Sequence, residues 1–124
     1  MTISRSRSGS LEARLRRDVA GEVYFDAFTR GRYSVDASIY QIDPVGVVVP
    51  KSVGDVEATI ALCAQAGVPV VPRGGGTSQC GQTIGEAVIV DTSKHLDAVL
   101  AVDVKKKTAV VQPGIVLDRL KQGA

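Results

Sequence analysis

Tryptophan is absent from this 124-residue chain, and aromatic residues make up only 4% of it. No apolar run approaches the roughly 18–20 residues that a membrane-spanning helix requires. The longest such run, around Val45 to Val49, is strand-sized. There are two cysteines, Cys63 and Cys80, too few for a disulfide scaffold. Cys63 reads as the buried face of a helix and Cys80 as part of a glycine loop, so both are expected as reduced thiols in a soluble, cytoplasmic protein. One histidine, His95, leaves no Cys/His spacing for a metal, and Thr92-Ser93-Lys94-His95-Leu96 reads as a turn near the surface rather than as an acid–base site. A large excess of one charge is also missing. Fifteen basic side chains against thirteen acidic ones give +2, too balanced for a dedicated nucleic-acid binder. What is present is a globular composition, 44% hydrophobic and 23% charged, with thirteen glycines and five prolines. A chain of this length suits one domain, burying roughly 65–70% of its extended surface.

Residues 1–10 are Ser/Arg-rich and nearly without apolar groups, so a frayed tail is expected there. Leu11, Leu15 and Val19 recur every four residues and predict a helix from about Leu11 to Ala20. Arg30 to Tyr40 has no clear period and reads as loop, so residues 11–45 form a helix with a following connector. From residue 46 the pattern sharpens. Gly46-Val-Val-Val-Pro50 is a β-branched run suited to a buried strand. Ser52-Val-Gly-Asp55 is a capping box, and Val53, Val56, Ile60, Cys63 and Ala64 follow at helical spacing up to a glycine stop at Gly67. Val68 to Val71 is a second strand, completing a βαβ unit whose strands lie parallel. Ala87 to Asp91 is a third. Leu96 to Asp103 and Thr108 to Gln112 predict an antiparallel hairpin about the solvated turn Val104-Lys-Lys-Lys107. Ile115 to Gln122 begins a helix with Ile115, Leu117 and Leu120 available for packing. The fold class is α+β, a βαβ unit plus an antiparallel hairpin.

The stretch that carries chemistry is Pro72-Arg73-Gly74-Gly75-Gly76-Thr77-Ser78-Gln79-Cys80-Gly81-Gln82. Three glycines directly after a strand permit positive φ and leave no side chain between backbone and ligand. Successive N–H groups in such a turn converge on anionic oxygens. Thr77 and Ser78 add hydroxyl donors, and Arg73 adds a positive charge. This composition fits a phosphate or pyrophosphate cradle. The G-x-G-x-x-G fingerprint fails, because Gln79 takes its last position when counted from Gly74. Gly76 and Gly81 have Walker A spacing, but Gln82 replaces the lysine and a strand follows, which excludes a P-loop NTPase. From these residues alone, a glycine turn without a ligand stays equally open.

The segment resembles the FAD-binding loop of the vanillyl-alcohol oxidase/p-cresol methylhydroxylase (PCMH-type) flavoproteins, and most closely the branch of D-lactate dehydrogenases and glycolate oxidase FAD subunits. Arg32-Tyr-Ser-Val-Asp-Ala-Ser38, Val48-Val-Pro-Lys-Ser-Val-Gly-Asp-Val56 and Val111-Gln-Pro-Gly114 are similar to further blocks of that branch in the same order. The resemblance covers the chain from about Gly21 onward. It implies that residues 46–124 are the N-terminal portion, the first subdomain, of a PCMH-type FAD-binding domain. It also implies that backbone groups of Arg73, Gly74, Gly75, Gly76, Thr77 and Ser78 hold the FAD pyrophosphate. Gly81 and Gln82 would continue along the cofactor, and Pro113-Gly114 would pass close to it. Some relatives attach flavin covalently through a histidine in this loop; Thr77 stands in its place here, so FAD is expected to bind noncovalently, with Cys80 as packing. Asp36 and Ser38 either reach toward the cofactor or bond within their own loop.

The family's second glycine- and asparagine-rich segment and its substrate domain have no counterpart in these residues, so no catalytic residue is assigned. Three readings follow: the FAD-binding piece of a 2-hydroxy-acid dehydrogenase, a non-catalytic module retaining the fold, or an FAD domain of another oxidase or reductase class. The expected partners are FAD and either the missing C-terminal half or a second copy, met through apolar surface left exposed.

Overall fold

A computed structural model describes residues 5–123. The first helix, α1 (Arg5–Asp18), starts six residues ahead of the expected Leu11, so the polar stretch from Arg5 to Ser10 is helical rather than frayed. Residues 1–4 of the expected tail lie outside the described residues. Two short elements follow where a loop is expected. They are β1 (Glu22–Tyr24) and α2 (Ala27–Arg32), the latter capped by Asp26, whose carboxylate accepts from the Thr29 amide and hydroxyl, both at 2.8 Å.

The sharper half of the sequence folds as its local chemistry dictates. Strand β2 (Gly46–Val49) is wholly buried and leads into α3 (Val53–Ala66). The Ser52 hydroxyl accepts from the Asp55 amide at 3.1 Å, the expected half of the capping box. At the other end Gly67 takes the left-handed conformation, φ +68°, and the Val68 amide donates to the Cys63 carbonyl at 2.9 Å. That last bond is why the next strand, β3 (Val70–Arg73), begins two residues later than predicted: the Val68 amide belongs to the helix end. Strand β4 (Val88–Asp91) is again buried throughout, and β5 (Val99–Asp103) with β6 (Thr108–Val111) forms the hairpin. The final helix, α4, spans Leu117–Gly123 and leaves Leu117 exposed, although the periodicity offered it for packing.

The four-stranded sheet has the order β1-β2-β4-β3. Strands β2 and β3 are parallel, as a βαβ unit requires, but β4 lies between them and pairs with both, setting Val47 and Val71 opposite Ile89. Strand β1 closes one edge antiparallel to β2. Pleating divides the side chains between two faces. Val23, Val48 and Val88 pack in one cluster with Leu11, Leu15 and Val19 and with Leu62 and Cys63 of α3. Val47, Val49 and Ile89 face the opposite way, against Tyr24, Tyr33 and Val71.

Asp55 joins α1 to this layer. Its carboxylate accepts from the amides of Ala20 (3.0 Å), Gly21 (2.9 Å) and Lys51 (2.9 Å). Burial pushes its carboxyl up, but the three amide hydrogen bonds outweigh that and hold it below its ordinary value.

Candidate functional site

The C-terminal ends of the parallel strands β2, β3 and β4 share one rim, where open parallel sheets place their ligands. Strand β3 ends at Arg73, and the glycine loop starts there. Among the described residues, the amides of Gly74, Gly75, Gly76, Thr77 and Ser78 donate to no backbone carbonyl and to no side chain. Five consecutive unpaired donors at a rim form a concentrated patch of partial positive charge.

The three glycines differ in what requires them. Gly76 has φ +70°, and a Cβ built on it would lie 2.5 Å from the Arg73 guanidinium. A Cβ on Gly75 would meet only the Thr77 methyl at 3.8 Å, an ordinary contact, so the fold itself does not demand glycine there. Gly81, with φ +79°, packs against the Tyr40 ring.

Arg73 does not reach outward as a free cation. Its guanidinium donates to the Val35 carbonyl at 2.8 Å and sits 5.1 Å from the centre of the Tyr33 ring, beneath Gly76. Its own carbonyl accepts from the Thr92 amide (3.0 Å) and hydroxyl (3.3 Å). Tyr33 in turn donates its phenol hydroxyl to Asp91, and burial followed by that carboxylate raises the phenol pKa. The other oxygen of Asp91 accepts from the Ser93 amide at 2.9 Å.

Pro113 and Gly114 come to this place from the hairpin. The Gly114 amide donates to the Leu96 carbonyl at 2.8 Å, and a Cβ there would fall 1.9 Å from the Thr92 carbonyl oxygen. Arg73, Gly74, Thr92 and Pro113 line one end of a mainly apolar cavity of about 580 Å³ that continues past Pro72 and Val90 to Val56 and Ile60 of α3. Gln82 turns back, its side-chain carbonyl accepting from the Cys80 amide at 3.2 Å. The structure thus brings Arg73, Gly74, Pro113 and Gly114 together, while Gly81 sits against Ser38 and Tyr40 and Gln82 bonds back to Cys80.

Asp36 and Ser38 serve the loops. Asp36 accepts from the Ser38 amide (2.8 Å) and from the Thr83 hydroxyl (2.9 Å), and these bonds lower its pKa. Asp91, Thr92 and Thr83 escape a sequence reading, since their roles depend on strand order; only the charge at the end of β4 hints at one. His95 lies in a turn near the surface, as expected, with its side chain partly exposed and 2.8 Å from Glu22. Lys94 also reaches Glu22, at 2.9 Å. With Tyr24 as the leading cause, then Lys94 and His95, these partners hold the Glu22 carboxyl down at about 2. Cys63 and Cys80 are both free, the first buried and the second exposed. Within the described residues, no helix is long and apolar enough to cross a membrane.

The FAD binding domain family matches residues 44–124. The glycolate oxidase subunit GlcD of Bacillus subtilis is 38% identical over 108 residues, which cover 83% of this chain and 23% of that protein. The D-2-hydroxyglutarate dehydrogenase of Haemophilus influenzae is 35% identical over 105 residues, 82% of this chain and 10% of its own length. This chain therefore spans about a quarter of one relative and a tenth of the other. Among solved structures, the 4-ethylphenol oxidase of Gulosibacter chungangensis superposes with a TM-score of 0.80 at 20% identity, over 98% of this chain and 25% of that one. A p-cresol methylhydroxylase does so at 0.77 and 16%, again over 98% of this chain and 25% of the other, a likeness of fold. The family match over residues 44–124 and the identity to these relatives show that the chain belongs to the FAD binding domain family.

Proposed function

We propose that residues 73–78 grip the pyrophosphate of FAD, and that the protein to which this chain contributes oxidises a 2-hydroxy acid. The observation that carries the first statement is the run of five unpaired amides from Gly74 to Ser78, a donor set suited to an anion. Thr77 and Ser78 add hydroxyls, and Gly81, Gln82, Pro113 and Gly114 border the remainder of the cofactor. Arg73 contributes charge and stiffness from beneath the loop rather than a direct side-chain contact. With Thr77 in place of a histidine, attachment is noncovalent. Bound flavin supplies the two-electron redox chemistry, and this chain's residues bind and orient it. No residue here is assigned to proton abstraction or substrate capture.

The second statement rests on the relatives named for glycolate and D-2-hydroxyglutarate, both 2-hydroxy acids. A reducing compartment such as the cytoplasm agrees with the two free thiols. The apolar side chains exposed on β5 and β6, Leu100, Val102 and Val110 among them, are read as surface that further flavoprotein polypeptide or a second copy covers.

Titrating FAD to millimolar concentration while following backbone amide NMR shifts tests the cradle. Shifts are expected at Gly74 to Ser78, and Gly75→Val is expected to abolish them without lowering the melting temperature. Because Gly75 has room within the fold, unchanged shifts in that variant would mean that no ligand approaches this backbone.

A further inference from the structure

Between Arg73 and Gly81 the glycine loop makes almost no hydrogen bond of its own among the described residues, yet it carries two left-handed glycines, Gly76 and Gly81. Something else fixes its shape. The segment Tyr33–Gln41 meets it at three separate points. The Val35 carbonyl accepts from the Arg73 guanidinium at 2.8 Å, at the start of the loop. The Tyr40 ring fills the place that a side chain on Gly81 would take, with a built Cβ only 3.0 Å from its edge. Past the far end of the loop, Asp36 holds the Thr83 hydroxyl at 2.9 Å.

The segment is itself braced. Val35 and Gln41 pair antiparallel, the Ile42 amide donates to the Ser34 carbonyl at 2.9 Å, and the Tyr40 amide donates to the Ser38 hydroxyl at 3.2 Å. Its base is tied to the sheet through Tyr33 and Asp91, and Ser34 is buried. The geometry points to a strap. We propose that Tyr33–Gln41 holds the glycine loop in its FAD-binding shape, with Asp36 and Thr83 as positioning residues that do not touch the cofactor.

The physical reason is entropic. A loop of three consecutive glycines has the largest backbone freedom of any sequence, and a ligand that must order it loses that freedom from its affinity. Clamping both ends to a braced segment removes most of this loss before the ligand arrives. The Asp36 carboxylate suits the task because it accepts from the Ser38 amide and the Thr83 hydroxyl at once, linking strap and loop through one charge-assisted pair.

The proposal rests on reading 73–78 as the FAD cradle, and two measurements on the full chain separate the two ideas. Thr83→Val keeps the shape of the side chain and removes the hydroxyl; Thr83→Ser restores it. In Thr83→Val, 15N order parameters from Gly74 to Gly81 are expected to drop from near 0.85 toward about 0.6, with those of β2 and β4 unchanged. FAD affinity is expected to weaken about tenfold, with Thr83→Ser recovering both. Unchanged order parameters would overturn the strap, as would mobility that rises without loss of affinity, or failure of Thr83→Ser to rescue. An affinity loss accompanied by loosening of β2 and β4 would also overturn it, as general destabilisation. If the unmodified chain shows no FAD-dependent change, the cradle reading fails, while the order parameters still decide whether the strap holds the loop.

Discussion

Strands β4 and β5 are written in nearly the same letters, Val-Ile-Val-Asp against Val-Leu-Ala-Val-Asp. Every residue of β4 is buried and every residue of β5 is exposed. The alphabet sets the extended backbone in both, but neighbours set the burial. Strand β4 has β2 on one side, β3 on the other and the α1–α3 layer across one face, whereas β5 has only β6. A β-branched run therefore reports strand formation, and its share of the core depends on strand order.

The comparison breaks most visibly under a charge. Val88→Asp sets an unpaired carboxylate at a fully buried position between β2 and β3, which should cost about 3–5 kcal/mol and leave little folded protein. The same change on β5, Val102→Asp, should stay within about 0.5 kcal/mol in urea unfolding. Equal losses at the two sites would show that the hairpin is packed in solution.

Acid provides a finer probe of the sheet edge. The Glu22 carboxyl, on β1, is held at about 2 by Tyr24, Lys94 and His95, against an ordinary value of 4.5. A depressed carboxylate contributes stability that is fully present above about 4.5 and is lost as pH falls toward 2. The urea midpoint should decline across that window, and Glu22→Gln should flatten the decline. An unaltered slope in the variant would remove Glu22 from the acid response.

The smallest effect belongs to the hairpin turn. Lys107 is the one described non-glycine residue with positive φ, +54°. Lys107→Gly should stabilise the turn by up to about 1 kcal/mol, read as a rise in the melting temperature. A fall would mean that the Lys107 side chain supports the turn.

Much of the central layer was legible because its signals are local. The Ser52 hydroxyl over the Asp55 amide and the left-handed Gly67 mark both ends of α3 within a few residues of sequence. Strand β1 was not legible, since Glu-Val-Tyr has no period of its own and becomes a strand by pairing with β2. Helix α2 contains Gly31 and lasts six residues; its one signal, Asp26 three residues before Thr29, is easily taken for a turn. In the candidate site, the glycine loop stood out by composition. Its supports did not, because Tyr33 and Asp91 are 58 residues apart in sequence and Asp36 and Thr83 are 47 apart.

Gly114 shows how severe a constraint a stretch of modest sequence can hide. Its missing side chain lets two passing backbones nearly touch, and no rotamer change would make room for even a methyl group at 1.9 Å from a carbonyl oxygen. In a saturation screen scored by protein abundance, this codon should stand as a solitary intolerant column, flanked by tolerant ones such as Pro113 and Val116.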